Sequence, residues 1–173
     1  MPPALVKRPP LVVVFLAMLM IALGATAGAL MSQAKEPTVR YARARIAANV
    51  PAHGLTGSRE YDDEVISRAV FTTEAGLSFL HTHAEGMGPV ILLAATLVAT
   101  LVPARRVRGV LYGLLAAGAL FPLGFLVYAV AVPEMGREAG VELAERFVLT
   151  PLGTAALLAL VGLAAFLRRP PAA

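Results

Sequence analysis

The chain has 173 residues, 58% of them hydrophobic and only 15% charged, against about 25% charged in an ordinary soluble domain. It contains no Cys, which excludes disulfides, thiolate metal sites and cysteine nucleophiles, and no Trp, which leaves Tyr and Phe to furnish any aromatic belt. A formal net charge of +4 would suggest nucleic acid in a soluble protein, but here the charges are sorted between apolar runs. They read as topology signals, and no nucleic-acid partner is expected.

The first apolar run covers residues 11–31, and a helical crossing takes about 20 residues. Lys7 and Arg8 ahead of it, with Ala25, Thr26 and Ala27 behind, also fit a cleavable signal peptide. The run continues to Met31, so a retained membrane helix is expected. Gly24 and Gly28 form a GxxxG pair, read as a packing face within the bundle.

Residues 32–75 form an external segment. Glu36-Pro37 predicts a break, and the Ala/Arg-rich stretch 39–48, with Arg40, Arg43 and Arg45, predicts a short surface helix. Residues 49–58 read as a loop, with Pro51, Gly54 and Gly57 as breakers. Ser58 is placed to cap a helix starting near Glu60, with Asp62, Asp63 and Glu64 suiting its dipole and Glu64 and Arg68 at i,i+4 spacing. This helix is expected to run on through Phe71 and Phe79.

The second span follows at 76–102. Its purely apolar part, 90–102, is only about 20 Å of helix and too short for a ~30 Å hydrocarbon core, so residues upstream must contribute. That draws Glu85 to the edge of the hydrocarbon and puts His81 and His83 near the headgroups. Gly88-Pro89 predicts a kink. At 100° per residue His81 and Glu85 share a face and His83 points the other way. Glu74, Ser78 and Thr96 extend the His81/Glu85 face into a polar stripe expected to face the bundle interior.

The third span, 110–132, carries Gly109, Gly113, Gly118 and Gly124, a kink-forming Pro122, and Tyr112 and Tyr128 near its two ends. Tyr128 is a candidate neighbour of the His81/Glu85 face. Residues 133–146 form an acidic connection in which Glu138, Glu142 and Glu145 share a helical face. The fourth span, 147–167, has small residues at Ala155, Ala159 and Gly162.

Basic residues occur without any acid on one side of the spans only. Lys7, Arg8, Arg105, Arg106, Arg108, Arg168 and Arg169 occupy short segments that contain no acid, while all eleven Asp and Glu lie in the other two connections or at the start of span 2. The positive-inside rule puts both termini in the cytoplasm and the acidic loops outside, as in a bacterial inner (cytoplasmic) membrane. The expected fold is all-α: one membrane domain over 1–173, a four-helix bundle with an external helical and loop segment between helices 1 and 2.

Ionisable groups at the mouth of a membrane helix are a functional hypothesis by default. His81 and Glu85, assisted by His83 or by His53, are the candidate ligands for a divalent transition metal, completed by an acid of the 133–146 connection. A b-type haem ranks behind it, because bis-histidine ligation would need His53 or a second protomer. A proton relay or cation-handling role is a third reading, and a polar cluster that only fixes the helix is the fourth. No nucleophile–base–orienter set, phosphate loop or dinucleotide fingerprint is legible, so no catalytic residue is assigned and no enzyme is expected. The leading expectation is an accessory or scaffold subunit of a membrane complex, its partners the lipid bilayer and either another membrane protein or further copies of itself.

Overall fold

The computed structural model describes residues 6–168, and among them every regular element is helical. In chain order these are α1 (Leu11–Gln33), α2 (Lys35–Ala48), α3 (Val50–His53), α4 (Arg59–Leu101), α5 (Arg105–Ala119), α6 (Leu123–Met135), α7 (Arg137–Ala144), a π-helical turn (Glu145–Leu149) and α8 (Thr150–Leu167). Four stretches are long and apolar enough to cross a membrane: α1, α4, α5 with α6, and α7 through α8. Arg169, grouped above with Arg168, lies outside the described residues.

The helices bury their small and branched faces in three clusters. Toward the basic end, Val13 and Ala17 of α1 meet Ile91, Ala95 and Val98 of α4, Leu111 and Leu115 of α5, and Ala159 and Leu163 of α8. In the middle, Met20 and Ala27 of α1 pack on Leu80 and Ala84 of α4. At the acidic end Ala42 and Ile46 of α2 close on Ala69 and Val70 of α4 and Val132 of α6. The external segment is therefore more than a surface helix over the bundle. It pairs with the upper half of α4 around its own apolar core.

Glycines set how near the helices come. A Cβ on Gly24 would sit 2.8 Å from Ala84 Cβ, and one on Gly28 2.8 Å from His81 Nδ1, so the GxxxG of α1 docks on α4. Gly76 lets α4 reach the α6 backbone, where a Cβ would meet Ala129 N and Phe125 O at 2.9 Å. Gly118 admits Ala156 of α8, while Gly109 and Gly113 have no neighbour within 4 Å. Only part of the small-residue face predicted on the third span is used for packing.

Several local expectations are corrected. Pro37 does not break the chain: it sits in the first turn of α2, where its missing N–H would be unpaired anyway, and the break falls one turn earlier at Ala34. Ser58 precedes α4 without a side-chain cap; Asp62 instead turns back to accept from the N–H of Thr56 at 2.8 Å and of Gly57 at 2.9 Å. The predicted kink site needs no correction: α4 is helical on both sides of Pro89, whose missing N–H leaves the Glu85 carbonyl without its intrahelical donor. Pro122 does more than kink the third span, which stops at Ala119 and restarts at Leu123. The acidic connection 133–146 holds the helix that the shared face of Glu138, Glu142 and Glu145 implied, α7, and its first residues end α6. Only Gly136, at φ +88°, separates the two helices, and a Cβ there would lie 2.3 Å from the Ala52 carbonyl oxygen. Ahead of Pro151 the helix widens into the π-helical turn, which relieves the clash of the proline ring with the carbonyl four residues earlier.

Gly118→Val should lower the thermal midpoint in detergent by an overpacking cost of about 1–3 kcal/mol, because the added atoms meet Ala156 backbone at 2.7 Å. Gly109→Val should leave it within roughly 0.5 kcal/mol. Equal midpoints for the two variants would mean that α5 and α8 do not pack through Gly118.

Candidate functional site

His81 and Glu85 lie one turn apart on α4, as their spacing requires, with Glu85 Oε1 3.4 Å from His81 Nδ1. The same nitrogen is 3.1 Å from the carbonyl oxygen of Gly24 in α1. A carbonyl can only accept, so Nδ1 carries the proton and donates across the helix interface. Glycine at positions 24 and 28 makes this possible, because any side chain there would collide with His81 or Ala84. The Nδ1 proton goes to the Gly24 carbonyl, and the Glu85 carboxylate stands beside the same nitrogen as a near neighbour on its own helix. A metal bound at the opposite ring nitrogen would leave Glu85 in its outer shell.

The stripe predicted to face the bundle interior is partly open. The side chains of His81 and Glu85 are 34% and 44% exposed. Glu74 pairs with Lys35 at the start of α2, 3.6 Å away. Thr96 turns its hydroxyl onto the Leu92 carbonyl of its own helix at 2.8 Å.

His83 faces the other way, as helical geometry dictates. Its ring lies 4.6 Å from that of Phe125 and 5.8 Å from that of Phe121, and Nδ1 donates to the Phe79 carbonyl at 2.9 Å. The ring is built into an aromatic cluster between α4 and α6. Tyr128 stands on this side, near Gly76 and Phe125, and gives its hydroxyl proton to Glu145 at 3.1 Å. It is not the neighbour of the His81/Glu85 face that the sequence suggested.

His53 is 9% exposed and serves a third location. Its Nε2 donates at 3.0 Å to the carbonyl of Pro133, one of the last carbonyls of α6. Asn49 reaches Glu134 at 3.2 Å, and the Arg45 guanidinium grips the Glu134 carboxylate through both oxygens at 2.6 and 2.5 Å. That hydrogen bond and charge raise the Arg45 pKa above its ordinary value. Arg45, Asn49 and His53 recur every four residues and form a three-toothed latch on the C-terminus of α6. Sequence reading took His53 for a metal ligand and left Asn49 in a loop. The four-residue spacing was the available signal.

The four proposed ligands are thus distributed over three places: His81 with Glu85 against α1, His83 against α6, and His53 on the end of α6. Among the described residues no group of three or more His, Asp or Glu side chains is arranged to hold a metal ion. The transition-metal and haem readings therefore gain no support. No buried side-chain nitrogen or oxygen among the described residues lacks a hydrogen-bond partner. What this arrangement does chemically is tie helices together: each histidine donates to a main-chain carbonyl, two of them across helix interfaces.

His53→Phe should destabilise the protein by about 1–3 kcal/mol, the cost of stranding the Pro133 carbonyl. His83→Phe, which joins Phe79, Phe121 and Phe125, should stay within about 0.5 kcal/mol. Thermal unfolding in detergent separates the two. Elemental analysis after incubation with zinc should find no stoichiometric metal that disappears in His81→Ala or Glu85→Ala; a one-to-one metal lost in either would reinstate the metal reading.

The chain matches no family model, and no curated protein and no solved structure is significantly similar to it.

Proposed function

We propose that the chain is an accessory subunit of a membrane complex, embedded by four crossings in a bacterial inner (cytoplasmic) membrane with both termini inside, and that it presents its outer end to another membrane protein. The charge sorting supports the orientation: Arg105 begins α5 directly after the α4 span, and Glu138, Glu142 and Glu145 lie at the other end.

One observation carries the partner. Helix α4 has 43 residues and is about 65 Å long, twice what a bilayer core of ~30 Å requires. Counted from Leu101 at the inner edge, His81 and Glu85 fall near the outer edge of the hydrocarbon. Phe71 stands about 45 Å up the axis, beyond the outer headgroups, which end roughly 35–38 Å from that edge. Its ring is 72% exposed where lipid no longer covers it. Grooves of about 430 and 690 Å³ flank it, one beside the Lys35–Glu74 pair and the other beside Thr72 and Tyr128. An exposed aromatic at the centre of such a surface, with polar groups at the rim, is the composition of a protein interface anchor. The polar side chains nearby are engaged in holding this chain together, which favours a binding role over a catalytic one.

A photo-crosslinking residue placed at Phe71 should give a discrete adduct with a second membrane protein in the native membrane. The same residue at Leu157, 65% exposed on the lipid-facing part of α8, should not. Adducts of twice the chain's mass would identify the partner as a second copy and replace the heteromeric reading. Labelling of lipid alone at both positions would overturn the proposal.

A further inference from the structure

The basic end of the molecule holds a pocket of about 340 Å³ that the partner surface leaves unused. Its wall is built from Lys7, Arg8 and Pro10 ahead of α1, Ala99 near the end of α4, and Arg108 and Tyr112 of α5. Three cations and a phenol line it, and no carboxylate does. Among the described residues none of Lys7, Arg8 and Arg108 enters an ion pair, whereas four Lys or Arg side chains elsewhere pair with a Glu. The first acid in the sequence is Glu36, a whole helix away from Lys7.

Like charges at this proximity repel, and the fold nevertheless holds them in place. The backbone N–H of Lys7 donates to Thr100 Oγ1 at 3.2 Å, pinning the segment before α1 against α4. Arg108 reaches the Val102 carbonyl at 3.5 Å. Within two positions of the lining in sequence stand exposed apolar side chains: Leu11 at 84%, Leu101 at 45% and Val107 at 43%. A cationic concavity bordered by apolar surface matches an anion carrying hydrocarbon. Arginine's planar fork suits phosphate oxygens, and basic pockets between membrane helices on the cytoplasmic side take acidic headgroups.

We propose that this pocket binds a phosphate group, supplied by the headgroup of an anionic phospholipid of the inner leaflet. The site rests on the membrane embedding of the chain and not on the Phe71 partner, so losing either leaves the other standing.

Native mass spectrometry of the full chain released from detergent tests it, with phosphatidylglycerol, phosphatidylcholine or inorganic phosphate added. Phosphatidylglycerol should remain bound where phosphatidylcholine does not. Arg8→Gln with Arg108→Gln should weaken its retention roughly thirty-fold, the effect of removing two cations at a membrane surface. Arg40→Gln with Arg43→Gln removes the same charge from exposed positions of α2 and should leave retention unchanged. Melting temperatures establish that both variants are folded. Equal loss in the two double variants, or equal retention of both lipids by the native chain, overturns the proposal. Inorganic phosphate bound without lipid and lost only in Arg8→Gln with Arg108→Gln supports the phosphate site and assigns its occupant to solution.

Discussion

The approach of α1 to α4 governs the rest of the structure. Gly24 and Gly28 bring the two helices so near that Ala84 and the His81 ring fill the space their side chains would take. At that distance a histidine on one helix can donate to a main-chain carbonyl of the other. In an apolar surrounding such a bond has no water to replace it, so small residues and polar donors work together as helix fasteners. Further along, Gly88 receives Ile21 of α1 next to Pro89, and Val13 and Ala17 complete the core toward the basic end.

A second fastening acts at the acidic end by different means. There α2, upper α4 and α6 share a small apolar core, and Arg45, Asn49 and His53 hold the last carbonyl and carboxylate groups of α6. The ends of helices leave carbonyls unpaired, and a buried unpaired carbonyl costs free energy on the order of a lost hydrogen bond. Placing donors at four-residue intervals on one helix meets that need along one face. The three histidines, which invite a reading as ligands, are therefore accounted for as donors to carbonyls.

Polar chemistry at the two ends differs accordingly. At the acidic end charges are largely paired, Lys35 with Glu74, Arg45 with Glu134, Arg68 with Glu64 and Arg146 with Glu142. At the basic end the cations stand together without counter-charges among the described residues. Surface pairs of the first kind contribute little energy and shape the outer surface. An uncompensated cluster of the second kind calls for an external anion, which anionic lipid headgroups would supply in the orientation proposed above.

Much of the fold was legible in the sequence because it depends on quantities that are local. Span lengths, the sorting of Arg from Glu, the Glu64–Arg68 spacing, and the opposite directions of His81 and His83 all follow from helix rise, helix period and hydropathy. Pro37 was misjudged because proline's effect depends on where it falls in a helix: in the first turn its missing N–H costs nothing. Tertiary structure alone decided the partners of each polar group. Nothing in the sequence shows that the Gly24 carbonyl, 57 residues away, takes the His81 proton, that His53 caps α6, or that Lys7, Arg8 and Arg108 share one pocket. Those are contacts between segments far apart in the chain, and they exist only once glycine-lined helix faces have closed on one another.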